Sequence, residues 1–202
     1  MKTYAGIDPS ITNTGVVLLD ERGRTLATYN SKTGCRKKDY ASDILFYRSR
    51  ADEIISFIRE RSADGLSAAV YEDYSFDSVH RTYSLAEYGG ILKMTLMTAF
   101  PNTAFHFSAP ATIKKFATGT GTATKEMMRD KAVFESALIA NLGAGERTFD
   151  VCDAYFMASM ARYVHEELRD IIKGCQDKAL LRMRLELAKK QRESWKTVIF
   201  PS

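Results

Sequence analysis

Short apolar runs alternate with polar turns in the first part of the chain. Apolar residues dominate Thr3–Asp8 and fill Val16–Leu19, and a charged turn containing glycine precedes a third apolar segment at Thr25–Ser31. Four consecutive apolar residues, as in the second run, are typical of a strand buried on both faces. The pattern therefore predicts three strands that form an antiparallel meander.

The spacing of apolar residues then lengthens to three or four, which indicates helices. It predicts an amphipathic helix from Asp39 to about Arg61 and a second helix over His80–Phe100. A short apolar strand, Leu66–Glu72, lies between these helices, and a fifth strand is predicted at Ala104–Phe107.

The last part of the pattern predicts helices after a basic loop. The loop, rich in glycine and threonine, is placed at Lys114–Thr124, and helices are predicted from Lys125 to about Asn141 and from near Asp150. The order of elements indicates an α/β fold with a mixed five-stranded sheet flanked by helices. We expect this domain to span residues 1–163, and residues 164–202 to form a basic, amphipathic helical extension.

Composition fits one folded core and several kinds of partner. The 202 residues are 45% hydrophobic, and the net charge of +4 permits a nucleic-acid partner without requiring one. No apolar run approaches the roughly 20 residues of a membrane span, so no membrane partner is expected. Cys35, Cys152 and Cys175 have no ligand-like spacing, and no secretion signal is evident, so an intracellular, cytoplasmic location is expected.

Four carboxylates fall at the ends of predicted elements. Asp8 closes the first strand, Glu72 closes the fourth, and Asp150 and Asp153 open a late helix. Each has an ordinary alternative explanation as a turn residue, a solvated acid or a helix cap. If the first and fourth strands are parallel neighbours, however, all four acids can meet, and they would repel one another unless cations bind between them. Oxygen ligands of this kind suit Mg²⁺.

Four segments together resemble a known family. They are the Asp-containing Gly6–Gly15, the strand end Val70–Glu72, the Gly-x-Gly-x-x-x-Lys segment Gly119–Lys125, and the Asp-x-x-Asp-Ala segment Asp150–Ala154. In order and approximate spacing they resemble RuvC-type Holliday junction resolvases of the RNase H-like superfamily, over about residues 3–162. The segment after Glu72 departs from the usual bacterial pattern, as in a divergent member, such as one from a phage.

The resemblance implies a metal-dependent DNA endonuclease. Asp8 would bridge two Mg²⁺ ions, Glu72 would complete one site, and Asp153 with Asp150 would complete the other; Mn²⁺ is expected to substitute. The expected substrate is a four-way DNA junction, cut symmetrically by a homodimer to leave 5′-phosphate and 3′-hydroxyl ends. For a phage-encoded protein, the location would be the host cytoplasm.

Further residues are candidates for contact with DNA. A lysine in the first turn of a helix opposes the helix dipole, and the resemblance assigns Lys125 to contact with the phosphate near the scissile bond. Lys114 and Lys115 are expected to contact the DNA backbone. Tyr74 and Phe76 follow Glu72 in a polar segment, where an aromatic ring could stack on an unpaired base.

Several alternatives remain open at the level of the sequence. A related RNase H-like nuclease could cut RNA–DNA hybrids or other branched DNA, and a non-catalytic junction-binding protein would not need all four acids. A sugar kinase or actin-like ATPase would need a second phosphate motif and usually a longer chain. The extension could pack on the body, pair with a second subunit or bind DNA through its basic face.

Overall fold

Five strands and six α-helices are seen in the computed structural model, which describes residues 1–31, 37–73, 82–143 and 148–168. The strands are β1 (Thr3–Asp8), β2 (Gly15–Asp20), β3 (Thr25–Asn30), β4 (Ala68–Glu72) and β5 (Ala104–Ser108). The helices are α1 (Asp43–Arg61), α2 (Thr82–Ala99), α3 (Pro110–Thr118), α4 (Lys125–Glu135), α5 (Ala137–Asn141) and α6 (Phe149–Tyr163).

The strands form one mixed sheet in the order β3-β2-β1-β4-β5. β1 pairs antiparallel with β2 and parallel with β4, and β5 extends the sheet parallel to β4. Ile7 is in register with Tyr71, so the carboxyl ends of β1 and β4 lie side by side. The predicted mixed five-stranded α/β fold is confirmed, and the first and fourth strands are the parallel neighbours that a meeting of the four acids requires.

Helices cover both faces of the sheet, which explains why β1 and β2 are buried along their whole length. Ala5 and Ile7 of β1 share one hydrophobic core with buried residues of α1 and α2. Gly6 points to the opposite face, since side chains alternate along a strand, and there it meets α6. The sheet is therefore the middle layer of three.

Two predicted boundaries were wrong in the basic region. The segment Lys114–Thr124 was expected to be a loop, but its first half is the end of α3. Pro110 begins that helix at a position where a missing N–H costs nothing, and Gly119 ends it in the left-handed conformation at φ 87°. Only the residues between Gly119 and Lys125 remain a loop.

The helix expected over Lys125–Asn141 is interrupted at Ser136. This residue has extended backbone angles, ends α4, and caps α5 by accepting a hydrogen bond from the Ile139 N–H. Likewise α1 begins at Asp43 rather than Asp39, because Ser42 caps it and Lys37–Asp39 form a separate 3₁₀ turn. In both places a serine cap is more favourable than continuing the helix.

The chain divides into two units, Met1–Arg162 and Tyr163–Ser202. In the second, the structure describes a short π-helical turn, Val164–Leu168, and the remainder of the predicted C-terminal helix lies outside the described residues. The predicted nuclease domain at 1–163 and extension at 164–202 therefore stay predictions. No helix within the described ranges is long and apolar enough to span a membrane.

Candidate metal centre

Four acidic side chains meet where β1, β4 and α6 come together. Asp8 and Glu72 are the last residues of two adjacent parallel strands, and Asp150 and Asp153 lie in the first turns of α6. Electrostatic interactions link Asp8 with the other three acids. Carboxylates that are as far apart in the chain as residues 8 and 153, a separation of 145 residues, thus form one cluster.

Gly15 allows α6 to approach the sheet at this point. A Cβ atom on Gly15 would lie 2.3 Å from the Asp150 carbonyl oxygen and 2.8 Å from the Val151 backbone nitrogen. Both are backbone atoms that no side-chain rotation can move. Thr148 fixes the same end of α6, since its hydroxyl accepts hydrogen bonds from the Val151 N–H and the Asn30 side-chain amide.

The turn after Asp8 also holds Asp150. The Asn13 side-chain amide donates to the Asp150 carboxylate. Thr14, which is fully buried, anchors the turn: its hydroxyl hydrogen-bonds to the Ser10 carbonyl oxygen at 2.6 Å and to the Tyr88 hydroxyl at 2.7 Å. The turn is therefore tied to α2 on one side and to a candidate metal ligand on the other.

Burial and mutual repulsion make the cluster hard to ionise. Desolvation, and then the Glu72 carboxylate, raise the pKa of Asp8 well above its usual range. Burial also raises the pKa of Glu72. A hydrogen bond from Asp8 stabilises the ionised Glu72 carboxylate and so acts in the opposite direction, but burial outweighs it. Desolvation, followed by Glu72, raises the pKa of Asp153 to about 7.

A divalent cation fits this donor set. Within the described residues, no group of three or more histidine, cysteine or acidic side chains is positioned to hold a metal ion as it stands. The raised pKa values nevertheless indicate that these acids share one electrostatic environment, in which ionising them together is unfavourable. Carboxylate oxygens with partial access to water are the ligands that Mg²⁺ takes, and a cation would offset their negative charge.

Two of the three predicted lysines lie close to the cluster. The positive charges of Lys114, on α3, and Lys125, the first residue of α4, act to lower the pKa values of Glu72 and Asp153, although burial outweighs them. Lys115 is exposed on α3 next to Lys114. Tyr74 and Phe76, the predicted base-stacking residues, lie outside the described residues.

Two residues at the site were not anticipated from the sequence. Asn13 lies within Gly6–Gly15, the first of the four segments that resemble the family. Its polar side chain, in a turn that follows Asp8, could have indicated a place near the acids. Phe149 directly precedes Asp150, and its ring lies 5.6 Å from the Lys125 ammonium nitrogen. Nothing in the spacing of residues 125 and 149 indicates that contact, which depends on how α4 and α6 pack.

Solved structures share this fold. A Thermus thermophilus RuvC structure is 23% identical and aligns with a TM-score of 0.57, over 80% of this chain and 95% of its own. A T. thermophilus RuvC in complex with a Holliday junction substrate is 20% identical, with a TM-score of 0.57, over 83% and 97%. The yeast mitochondrial Holliday junction resolvase Ydc2 is 12% identical, with a TM-score of 0.55, over 92% and 82%.

A search of curated proteins found no significant match. The family model described as crossover junction endodeoxyribonuclease RuvC, however, matches residues 4–161, which contain all four acids and all of the sheet except Thr3. The chain therefore belongs to the RuvC family of crossover junction endodeoxyribonucleases, with the RNase H-like fold that its sequence motifs predicted.

Proposed function

We propose that this protein is a structure-selective endodeoxyribonuclease that resolves four-way DNA junctions by hydrolysis dependent on Mg²⁺. The convergence of Asp8, Glu72, Asp150 and Asp153 carries the proposal, because one buried and three half-buried acids that repel one another are costly to the fold unless cations bind them. Membership of the RuvC family gives the reaction class.

Each acid has a distinct role in the proposed site. Asp8, which interacts electrostatically with the other three acids, would bridge two ions; Glu72 would complete one site, and Asp153 with Asp150 the other. When bound, the ions would supply a nucleophilic water at neutral pH and stabilise the leaving 3′-oxygen. Hydrolysis would form a bond between the water oxygen and phosphorus, break the bond from phosphorus to the 3′-oxygen, and pass a proton from water to that oxygen, leaving a 5′-phosphate and a 3′-hydroxyl.

Positive charge near the acids supports a polyanionic substrate. Lys125 and Lys114 offset part of the negative charge of the cluster, and a DNA phosphate entering the site would otherwise be repelled by it. Lys115, which is exposed on α3, would contact the DNA backbone. The solved complex of T. thermophilus RuvC with a Holliday junction supports branched DNA as the substrate.

A substrate panel tests the proposal. The protein is incubated with Mg²⁺ and, separately, with a synthetic four-way junction, a three-way branch, the linear duplex arms and an RNA–DNA hybrid. Paired nicks on opposite strands of the four-way junction, with ends that a ligase rejoins, are expected. Equal cutting of the linear duplex would contradict junction selectivity, and preferential cutting of the hybrid would instead indicate a ribonuclease H activity.

We further propose that the protein acts as a homodimer through the exposed face of α2. Tyr83, Met94 and Met97 lie along one side of this helix, with 86%, 62% and 48% of their surfaces exposed. Large apolar side chains aligned on one helix favour burial against a partner. A second copy of this chain fits best, because a two-fold dimer matches a substrate that needs two symmetric cuts.

Met94→Glu is expected to convert the dimer into a monomer, because a charge at a self-complementary surface is buried twice. Sedimentation velocity measures the change at equal protein concentrations. Met127→Glu, at an exposed methionine of α4, is the matched control and should leave the sedimentation coefficient unchanged. A dimer that persists in Met94→Glu would show that α2 is not the interface.

A further inference from the structure

Two cations of α4 converge on the ring of Phe149. The Lys125 ammonium nitrogen lies 5.6 Å from the ring centroid, and the central carbon of the Arg129 guanidinium lies 5.8 Å from it. Both distances fall within the range over which a cation is attracted to the face of an aromatic ring. Since Phe149 is the first residue of α6 and directly precedes Asp150, the ring connects α4 to the helix that carries two of the four acids.

Helix stability does not account for this arrangement. Lys125 is the first residue of α4, where the helix dipole disfavours a positive charge. Arg129 lies four residues later, so the two cations are neighbours on one side of the helix and repel each other. Among the ion pairs in the described part of the chain, none involves Lys125, and Arg129 pairs with its exposed neighbour Asp130 at 3.0 Å.

We propose that Phe149 positions the Lys125 ammonium and the Arg129 guanidinium as a pair beside the start of α6, and that this pair binds phosphates of the DNA backbone. The choice of ligand depends on the proposed nuclease function, whereas the positioning by the ring does not. Arg129 thereby becomes a further phosphate-binding residue, able to hold two phosphate oxygens at once through its planar guanidinium.

The kinetic test removes the ring while keeping an apolar side chain. Phe149→Leu is expected to lower kcat/KM for junction cleavage by about 3- to 10-fold, the range of a partly exposed cation–π contact, and Phe149→Tyr should retain the rate. Phe134→Leu is the matched control. It removes an exposed ring that lies 5.8 Å from Lys131 on α4, and it should leave cleavage unchanged.

A double-mutant comparison separates positioning from packing. In a Lys125→Met, Arg129→Met background, Phe149→Leu should cause no further loss of kcat/KM, because the ring then has no cation to position. A loss of the same size in that background would overturn the proposal, since the ring would then act through the packing of α6.

A measurement without DNA makes the result independent of nuclease activity. Reductive dimethylation with ¹³C labels every lysine while keeping its charge, and the Lys125 resonance is assigned by its absence in Lys125→Met. The ring current of Phe149 should displace this resonance in wild type and Phe149→Tyr but not in Phe149→Leu. An undisplaced resonance in wild type would overturn the proposal, whereas displacement in a protein that leaves junctions uncut would support the positioning and reject only the nuclease function.

Discussion

Asp8→Asn should reduce cleavage of a four-way junction on the order of 10³-fold or more while leaving junction binding largely intact. Metal ions contribute several kcal/mol of transition-state stabilisation, and each 1.36 kcal/mol is tenfold in rate. Asparagine removes the charge of the acid at the centre of the cluster while preserving its shape. Cleavage is measured on a labelled junction with Mg²⁺, and binding is measured by gel shift with Ca²⁺ in place of Mg²⁺. Cleavage at the wild-type rate would show that Asp8 is not a metal ligand.

Thermal melting in the presence of a chelator shows whether Asp8→Asn is folded. The melting temperature of the metal-free protein should also depend on pH. Because burial raises the pKa of Asp8, the unfolded chain gives up this proton at a lower pH than the folded protein does. The metal-free wild type should therefore lose stability as pH rises above about 4. Asp8→Asn should melt higher than wild type at pH 8, by about 4 °C or more, and this difference should shrink toward pH 4.

Asp153 adds to the same loss of stability with rising pH. Its pKa is raised from 3.8 to about 7, so its share of the stability loss develops between those values and is complete above pH 7. Bound Mg²⁺ should reverse the trend in wild type, because a cation stabilises the ionised acids in the folded state alone.

Gly15→Ala should disable the site without altering any acid. Its Cβ would lie 2.3 Å from the Asp150 carbonyl oxygen, about 1 Å closer than the 3.4 Å of ordinary contact. β2 is held between β1 and β3, so the start of α6 must move away, and the two acids of α6 move with it. A displacement of about 1 Å in a catalytic constellation can cost about 100-fold in rate. We expect a comparable loss of kcat at saturating junction, together with a higher Mg²⁺ requirement.

Gly90→Ala controls for the general effect of replacing glycine. A Cβ at Gly90, in α2, meets nothing within 4 Å in this chain, and alanine favours a helix by about 1 kcal/mol over glycine. Because Gly90 lies on the side of α2 proposed as the dimer face, both glycine variants are melted in the Met94→Glu monomer. There Gly90→Ala should leave the melting temperature equal or higher, whereas Gly15→Ala should lower it. Wild-type stability and kcat in Gly15→Ala would contradict the close approach of α6 to the sheet.

The sequence contained most of the information about the sheet and the acids. Apolar segments located all five strands to within two residues at each end, most directly β1, β2 and β4, because burial of these strands requires mainly apolar residues. The parallel pairing of β1 with β4 then followed from topology, and it brings Asp8 and Glu72 to the same edge. Acids at strand ends and at a helix start are visible in one sequence because their positions relative to the elements carry the signal.

Contacts between side chains of distant elements could not be predicted in this way. Asn13 reaches Asp150 across 137 residues, and Phe149 meets Lys125 only because α6 packs beside α4. The start of α3 was missed because Lys114 and Lys115, followed by glycine and threonine, suggested a loop. Pro110 and Gly119 were the local signals for that helix. They mark where the backbone can start and end a helix, which the spacing of apolar residues does not report.

Anomalous scattering from crystals grown with Mn²⁺ tests most directly whether the four acids form a metal centre. The expected result is two manganese peaks between Asp8 and the other acids, at about 2.0–2.3 Å from carboxylate oxygens. Asp8→Asn crystals should lose at least one of the two peaks. Manganese bound elsewhere, in a protein that still cuts four-way junctions, would contradict the proposed centre.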